Sequence, residues 1–523
     1  MAVDRRDVLR GLGGLAGMAA VRTMEARAPV RAGGFPRKDD FLIEDGYTYL
    51  NAAYTHPIPK VSMDAVRRAA EGRASLHPPA LPAGASGTPK ALFAELINAK
   101  PSEIAYVSST SAGENLVVQA LGLHRGADGN VVTDGLHFEG AILHLLELKK
   151  QGLDVRVVKP TRDFRIDFKD LERAVDRRTK LIEVSSASMY NGFQHDLKAV
   201  CDLAHAHGAY VYADIIHSAG AEPFDVKASG VDFAACSTFK WLMGDFGIGF
   251  LYAKEALLDR IRRPVYGYYQ APDMEAFYPP DLPAGAYTPI AYTLEQTAAG
   301  TFESGTLTGG PAFNVALLTA SLTYIRELGV ANIQAHRLPL IRKLQQEVPR
   351  LSLTPVTPAE STSGVVTFAR HDIGQTEIPR KLQAGRVNVR IAAHWMRVSP
   401  SIYNDMIDHP APEGQHHPGD DQERRPDQAV KDDEGHERLD GEFLRGDAEQ
   451  ERPVGVQIAG DGLEMDPSPH QRERDRGRQH ASPHDQPVGE SAQPPALEDV
   501  GVRRELDERP ASEAQRVAAD RSP

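Results

Sequence analysis

The sequence predicts an α/β fold. Short apolar runs rich in Val, Ile and aromatic residues, each bounded by polar or glycine-rich turns, recur along the first part of the chain and indicate strands. Segments whose apolar residues have helical spacing lie among and after these runs. The chain has 523 residues, of which 41% are hydrophobic, so it is long enough to bury a large core.

The predicted elements follow in chain order. A short strand and then a turn rich in proline are predicted within residues 47–59. Further strands are predicted at residues 103–108, 130–133, 181–186, 209–214, 231–236, 248–252 and 364–369. Helices are predicted at residues 91–99, 314–328, 333–348 and 377–384.

The composition argues against several classes of function. A net charge of −13 is unlike that of a general nucleic-acid binder. The two cysteines, Cys201 and Cys236, are too few for a disulfide framework, and both fall in segments that we expect to be buried. No segment is long and apolar enough to predict a membrane span, and the histidines near the C-terminus lack the spacing of metal ligands.

The first 28 residues have the pattern of an export signal. The arginine pair in D-R-R-D-V-L-R precedes a short, glycine-rich apolar stretch, and an A-R-A sequence ends at Ala28. This pattern is typical of a twin-arginine signal, which predicts a periplasmic or extracellular location. The alternative is a disordered basic leader on a cytoplasmic protein.

One lysine is a candidate nucleophile. Lys240 lies in S-T-F-K-W-L-M-G-D-F-G-I-G, residues 237–249, after a predicted buried strand and before a turn spaced by glycines. Burial there would lower the pKa of Lys240, and a neutral amine can attack a carbonyl group, which is the chemistry of a Schiff-base lysine. The alternative is a solvated lysine on a surface loop.

A carboxylate upstream supports the first interpretation. Asp214 ends the apolar run A-Y-V-Y-A-D, about 25 residues before Lys240, which is about the length of one β-loop-β unit. An acid at the end of a strand can pair with a protonated pyridine nitrogen, the partner that pyridoxal phosphate requires to act as an electron sink. The two residues together therefore favour a cofactor site over a surface loop.

Asp214, His217 and the stretch around Lys240 resemble the active-site region of the class V aminotransferase-like enzymes of fold type I, which include cysteine desulfurases, kynureninases and isopenicillin N epimerases. The resemblance spans roughly residues 49–405. It implies pyridoxal 5'-phosphate as cofactor, a large domain with a mostly parallel sheet flanked by helices, and a small C-terminal α+β domain. The implied boundaries are 29–60 for an N-terminal arm, 61–310 for the large domain and 311–408 for the small domain.

The run S-S-T-S-A-G-E, residues 108–114, is a candidate phosphate cradle. It passes from strand to helix, where free backbone N–H groups and the hydroxyls of Thr110 and Ser111 can bind an anion. Ordinary N-capping is the alternative. The resemblance implies that Thr110, Ser111 and Ser237 hold the cofactor phosphate.

The resemblance also assigns residues around the pyridine ring. It implies that His137 lies flat on the ring without committing a charge, although a structural histidine is the alternative. His217 stands where many members have glutamine and can still donate to the ring oxygen. Met189 stands where the family usually has asparagine, which leaves Asn191 as a candidate substitute. Phe239 replaces a histidine and cannot contact the phosphate.

Substrate contacts and assembly are implied in the same way. Arg397, in R-V-S-P-S-I-Y-N, matches the arginine that binds the α-carboxylate of an amino acid, with a surface ion pair as the alternative. Asn51, in the segment at the mouth of the site, is implied to contact the substrate. Thr306, in F-E-S-G-T, matches a residue that reaches the phosphate of the neighbouring subunit, which implies a homodimer with shared sites.

The chain changes character after Asp408. Residues 409–523 are dense in charged residues, Pro and Gly, and Phe443 is their only aromatic residue. Such a segment cannot bury enough apolar area to offset its ordering entropy, so we predict disorder. Because the family pattern stops where a closing helix should follow, a shifted reading frame is one hypothesis and a genuine low-complexity extension is the other. If neither of the two alternative reading frames encodes an amphipathic helix, the hypothesis of a shifted frame is contradicted.

The expected chemistry is proton transfer at Cα of an α-amino acid, with Lys240 as the general base. Transamination is the first expectation. The alternatives are epimerisation, a lyase reaction, or a degenerate protein that retains the fold without catalysis. Cysteine desulfuration is disfavoured, because it requires a nucleophilic cysteine before the arginine and residues 390–397 contain none.

Overall fold

The computed structural model describes residues 34–75, 87–125, 129–267, 270–271, 273, 291–305 and 312–406. All of these residues fall within one structural unit, Met1–Pro418. The predicted export signal, Thr306 and the predicted disordered tail lie outside the described residues. The boundary between a large and a small domain therefore stays a prediction.

The strands of the described residues are β1 (Thr48–Tyr49), β2 (Ile104–Val107), β3 (Asn130–Asp134), β4 (Asp154–Val158), β5 (Thr179–Ser185), β6 (Tyr210–Asp214), β7 (Phe233–Ser237), β8 (Gly249–Ala253), β9 (Thr354–Pro355), β10 (Val366–Ala369), β11 (Val387–Asn388), β12 (Arg390–Ile391) and β13 (Trp395–Val398). The α-helices of the same residues are α1 (Lys60–Ser75), α2 (Gly87–Leu96), α3 (Thr110–Ala120), α4 (Glu139–Lys150), α5 (Phe168–Ala174), α6 (Leu197–Ala206), α7 (Val226–Ser229), α8 (Ala298–Phe302), α9 (Ala312–Leu328), α10 (Val330–Glu347) and α11 (Glu377–Ala384).

The largest sheet of the described residues has seven strands in the order β2-β8-β7-β6-β5-β3-β4. Strands β3 to β7 pair in parallel, and β8 runs antiparallel to both of its neighbours, β2 and β7. Strand β2 therefore has the same direction as β3 to β7. This topology confirms the mostly parallel sheet that the resemblance implies.

Both faces of this sheet are buried. Side chains alternate along a strand, so that Val131 packs in one apolar cluster with residues of α3 and α4, whereas Val132 packs in another with residues of α2, α6 and α9. A strand that is covered on both sides needs apolar residues at successive positions. This burial explains why the strands are visible in the sequence as continuous apolar runs.

A second, smaller sheet lies in the C-terminal part of the described residues. Its four antiparallel strands follow the order β12-β13-β10-β9, and β1 pairs with β11 in parallel. Phe368 and Met396 of this sheet pack with Ile341 of α10 and with Leu50, which directly follows β1. The arrangement confirms the α+β character that the resemblance implies for this region.

Several elements differ from the sequence predictions. Helix α2 begins at Gly87 rather than at residue 91, and a 3₁₀ turn at Pro101–Glu103 delays the start of β2 to Ile104. Helix α1 was not predicted, because it packs against α9 through the small residue Ala69 and has a weak apolar stripe. Within the described residues, we find no helix whose length and apolar character would let it cross a membrane.

Candidate active site

The site lies at one edge of the seven-stranded sheet. Parallel strands bring their carboxyl ends to the same edge, which is where ligands bind in open α/β sheets. Asp214 is the last residue of β6, and Ser237 is the last residue of the adjacent strand β7. Thr110 and His137 follow β2 and β3 at this edge. The topology therefore brings together residues that are far apart in the sequence.

The amine of Lys240 contacts a histidine. Its Nζ lies 3.1 Å from Nε2 of His217, and Nδ1 of His217 accepts a hydrogen bond from the indole N–H of Trp241 at 3.3 Å. Because an indole N–H can only donate, Nδ1 carries no proton in the neutral ring. His217 therefore holds its proton on Nε2 in the neutral ring and can donate it to the lone pair of Lys240 when that amine is deprotonated.

Burial shifts both groups towards their neutral forms. Burial lowers the pKa of Lys240 to about 8, an effect that Arg397 reinforces and Asp214 opposes. Burial, assisted by the charges of Lys240 and Arg397, lowers the pKa of His217 well below its ordinary value. A lysine with this pKa is a nucleophile near neutral pH. The shift has the direction that the sequence predicts.

Asp214 is a buried carboxylate beside this amine. One carboxylate oxygen accepts the backbone N–H of Ile216 at 2.9 Å. Burial raises the pKa of Asp214 to about 6, although His137 and Lys240 both oppose the shift. Asp214 thus remains mostly ionised at neutral pH and can pair with a protonated ring nitrogen.

His137 is held through both of its ring nitrogens. Nδ1 lies 2.7 Å from the hydroxyl of Ser185, and Nε2 lies 2.7 Å from a carboxylate oxygen of Glu114. Burial alone would lower the pKa of His137, but the charge and hydrogen bond of Glu114 outweigh it, so the pKa is raised. In-plane bonds leave the ring faces available for stacking. The raised pKa favours a charge on His137 more than the resemblance implies, and its stacking role stays a prediction.

Sequence reasoning missed a pair of acids behind His137. Glu114 of α3 and Glu183 of β5 are both fully buried. Burial, followed by the charge of Glu114, raises the pKa of Glu183 well above its ordinary value. Glu183 consequently favours its protonated form, and a carboxylate oxygen of Glu114 faces Nε2 of His137. The available signal was a glutamate inside the apolar run L-I-E-V, since buried glutamates are rare unless they are paired.

Some hydrogen-bonding groups of the candidate phosphate cradle already bond to each other. The hydroxyl of Ser237 accepts the N–H of Thr110 at 2.8 Å, and the hydroxyl of Thr110 accepts the N–H of Ser237 at 2.9 Å. Ser109 caps α3 by accepting the N–H of Ala112. Among the described residues, the N–H and the hydroxyl of Ser111 have no hydrogen-bond partner. Ser111 is thus the open donor at this helix start, while Thr110 and Ser237 join the helix to β7.

Arg397 lies inside the protein rather than in a surface ion pair. Its side chain is 3% exposed, and Nη1 donates to the carbonyl oxygen of Met189 at 3.0 Å. Burial, followed by the charge of Arg390, lowers its pKa to about 10. Its Nε has no hydrogen-bond partner in the described part of the chain. A buried guanidinium with an open donor fits a carboxylate ligand.

The side chains of Asn51 and Asn191 differ in their hydrogen bonding. The side-chain oxygen of Asn51 is buried with no partner among the described residues. Asn191, in contrast, donates to the carbonyl oxygen of Phe164 at 2.7 Å and accepts the N–H of Phe193 at 3.0 Å. The suggestion that Asn191 contacts the cofactor ring is therefore wrong, because loop contacts occupy its amide.

These residues fit pyridoxal phosphate. Asp214 offers an acceptor for a protonated ring nitrogen, Lys240 offers a neutral amine, and Ser111 offers open donors at a helix start. Phe239 stacks on Phe246 at 4.2 Å and presents no polar group. The described residues contain no cluster of His, Cys, Asp and Glu suited to a metal ion. The donor set is compatible with an organic phosphate cofactor that forms a covalent bond with an amine.

Comparison with known proteins agrees with this geometry. The family described as Aminotransferase class-V matches residues 85–404. A probable cysteine desulfurase of Methanothermobacter thermautotrophicus is 30% identical over 366 residues, which cover 68% of this chain and 86% of that protein. An uncharacterised aminotransferase of Bacillus subtilis, YcbU, is 29% identical over 313 residues, which cover 60% of this chain and 78% of that protein. The apo structure of a cysteine desulfurase from Thermococcus onnurineus NA1 superposes with a TM-score of 0.60 at 21% identity, covering 72% of this chain and 96% of that one.

Proposed function

Because this chain belongs to the class V aminotransferase family, whose members use pyridoxal phosphate, we propose that it transaminates an α-amino acid with Lys240 as the base. The observation that carries this proposal is the contact between the Lys240 amine and the Nε2–H of His217. This contact orients an amine whose pKa burial lowers to about 8, next to the carboxylate of Asp214.

Lys240 has two roles in this scheme. As a neutral amine it forms the covalent attachment to the cofactor, and after release it takes and returns a proton at its Nζ. When bound, the cofactor withdraws electrons from the bonds to Cα of the substrate. His217 is neutral and donates through Nε2, so it orients Lys240 without adding a positive charge beside it.

The remaining polar residues provide charged groups around the cofactor and the substrate. With the cofactor bound, the carboxylate of Asp214 would hold a proton on its ring nitrogen. His137 carries its own proton between Glu114 and Ser185, and its charge lowers the energy of the Asp214 carboxylate. Arg397 binds the α-carboxylate through its open Nε, because a buried guanidinium gains most from an ionic partner.

The contacts of His137 support transamination over a two-base epimerisation. A two-base epimerisation needs a second base at Cα, whereas transamination can use one base that takes and returns the proton. The resemblance implies that His137 lies flat on the ring, and Ser185 and Glu114 engage both of its ring nitrogens. His137 therefore lacks an open nitrogen with which to accept a proton from Cα.

Cysteine desulfuration is the second candidate, because a relative at 30% identity is named a probable cysteine desulfurase. That reaction requires a thiolate that accepts sulfur. The whole chain has two cysteines, Cys201 and Cys236, and both are buried. Burial raises the pKa of Cys201 to about 12 and that of Cys236 well above its ordinary value. These thiols are poor nucleophiles, which supports transamination instead.

The covalent step has a direct test. The full chain is incubated with pyridoxal phosphate and reduced with borohydride, and the labelled peptide is identified by mass spectrometry. We expect the label on Lys240 and its loss in Lys240→Ala. Lys254→Ala, a change in the chain segment after β8, should keep the label. A label that persists in Lys240→Ala would contradict the proposal.

The reaction type has a separate test. The loaded protein is incubated with a panel of amino acids that includes cysteine, together with a keto-acid acceptor. Transamination predicts a keto acid derived from the amino acid, with no release of sulfide from cysteine. Exchange of the α-proton without a keto acid would indicate epimerisation. Release of sulfide from cysteine would instead establish desulfuration or a lyase reaction.

A further inference from the structure

A second arginine lies directly opposite Arg397. Strands β12 and β13 are antiparallel, and their register pairs Arg390 with Arg397. Residues paired in this way project from the same face of a sheet, with Cα atoms about 5 Å apart. Like charges in such a pair repel each other, and the charge of Arg390 indeed contributes to the lowered pKa of Arg397.

No carboxylate of the described residues compensates Arg390 through an ion pair. Its guanidinium lies over the ring of Tyr54, 5.7 Å from the ring centre. The nearby Arg386, in contrast, forms an ion pair with Glu44. Glu139 interacts electrostatically with Arg397, but it accepts a hydrogen bond from the hydroxyl of Tyr190. Arg390 is therefore a cation that is open to a ligand.

Arg390 lines a cavity of about 560 Å³ whose described lining contains no acid. Asn51 and Asn388 also line this cavity, and each has a buried side-chain oxygen without a hydrogen-bond partner among the described residues. A carboxamide can rotate to present its NH₂ group to an anion. The cavity thus combines Arg390, which has no ion pair in the described part of the chain, with two amides whose oxygens are unsatisfied there.

The cavity adjoins the predicted carboxylate site. The backbone of Asn51 forms an isolated parallel β-bridge with that of Ser399, which lies two residues after Arg397. Arg397 in turn interacts electrostatically with Lys240. An amino acid whose α-carboxylate binds Arg397 can therefore extend its side chain towards Arg390.

We propose that Arg390, with the amides of Asn51 and Asn388, forms a second anion-binding position that selects amino acids carrying an acidic side chain. This inference rests on the proposed function, because it assumes that Arg397 binds the α-carboxylate. A substrate with two acidic groups relieves the repulsion between the two arginines. A neutral side chain of the same length leaves Arg390 without a partner.

The test uses ligands that need no covalent chemistry. Calorimetry on the loaded full chain compares glutarate with butyrate and succinate with propionate, none of which carries an amino group. We expect each dicarboxylate to bind about ten- to a hundredfold more tightly than its partner, as for a hydrogen bond to a charged group. Arg390→Gln should abolish this preference and leave the affinity for butyrate unchanged. Equal affinities in the original protein would overturn the inference.

Matched variants separate the possible outcomes. Arg386→Gln changes an arginine of the same cavity that is already paired with Glu44, so the preference should survive. If Arg386→Gln removes the preference instead, or Arg390→Gln retains it, the assignment to Arg390 is overturned. Thermal unfolding of both variants verifies that they fold, as expected for the exposed Arg390.

The two proposals can fail independently. If borohydride places no cofactor on Lys240 but glutarate keeps its preference, the proposed reaction fails and the anion position stands. If Lys240 is labelled and no dicarboxylate is preferred, the anion position fails alone. Arg390→Gln can also be combined with Lys240→Ala. If the preference for a dicarboxylate depends on Arg390 both with and without Lys240, the second anion-binding position is supported whichever reaction the protein catalyses.

Discussion

His217 is the hydrogen-bonding partner that orients the amine of Lys240. Its Nδ1 is occupied by Trp241, so its Nε2 must present a proton to Lys240. Burial keeps the histidine neutral, and the same burial lowers the pKa of Lys240. Burial therefore makes the neutral amine easier to reach at Lys240 than at an exposed lysine, and it places that amine beside a neutral imidazole. This arrangement prepares the amine for attack on an aldehyde.

A pH dependence follows from this arrangement. Only the neutral amine attacks, and the pKa of Lys240 is lowered to about 8. The rate of covalent attachment of pyridoxal phosphate to the cofactor-free protein should therefore rise with pH and reach its midpoint near 8. Stopped-flow absorbance measures this rate. A midpoint near the ordinary lysine value of about 10.4 would show that burial does not control the amine.

Trp241 provides the variant for this prediction. Trp241→Phe removes the indole donor, so His217 can place its proton on either nitrogen and the midpoint should move. The other tryptophan of the chain, Trp395 on β13, is a matched control, and Trp395→Phe should leave the midpoint in place. An unchanged midpoint in Trp241→Phe would exclude the tautomer as the cause.

Helix α3 and strand β7 form the element-scale frame of the site. The mutual hydrogen bonds of Thr110 and Ser237 join the helix start to the strand end. Gly113 permits this close approach, because a Cβ at this position would lie 2.9 Å from the Cβ of Ala235. The cofactor cradle thus depends on a helix–strand contact as much as on its hydroxyl groups.

Gly113→Ala tests this frame. Alanine favours a helix by up to about 1 kcal/mol over glycine, but the clash with Ala235 should outweigh that gain. We expect a net loss of about 1–3 kcal/mol in the free energy of unfolding, as in other overpacked contacts, together with weaker cofactor binding. Urea unfolding and a cofactor titration measure the two effects.

A second change shows whether the contact is the cause. Ala235→Gly in the Gly113→Ala background returns the space that the new methyl group needs, and cofactor affinity should recover. Failure to recover, or a stabilised Gly113→Ala protein, would contradict the close contact. A glycine within a helical run is visible in the sequence, but its steric partner on another element is not.

Assembly belongs to the scale of the whole molecule. The resemblance implies a homodimer in which Thr306 reaches the phosphate site of the neighbouring subunit, and we propose this assembly for the chain. Sedimentation should then give twice the chain mass. Thr306→Val should weaken cofactor binding, because it removes a hydroxyl donor to an anion.

Mixed subunits test the shared site. In a hybrid of Lys240→Ala with Thr306→Val, one site carries both changes and the other carries neither. Tight cofactor binding, trapped on the subunit that keeps Lys240, should therefore return on mixing. The Thr306→Val protein alone is the control. Binding that stays weak after exchange of subunits would show that Thr306 acts within its own chain, or not at all.

The sequence alone determined the positions of most strands of the large sheet and singled out Lys240 as the candidate cofactor lysine. Strands β5, β6 and β7 are buried on both faces, so their apolar runs are continuous and visible. Asp214 and Lys240 could be found because each stands at the end of such a run. Arg397 and the cofactor were found through the family resemblance rather than from local pattern.

Only the tertiary structure decided how these groups are charged. The proton on Nε2 of His217, the imidazolium favoured at His137 and the proton retained by Glu183 all depend on partners distant in sequence. The pairing of Arg390 with Arg397 likewise depends on strand register. Burial and short distances control ionisation, and neither is encoded in the spacing of residues along the chain.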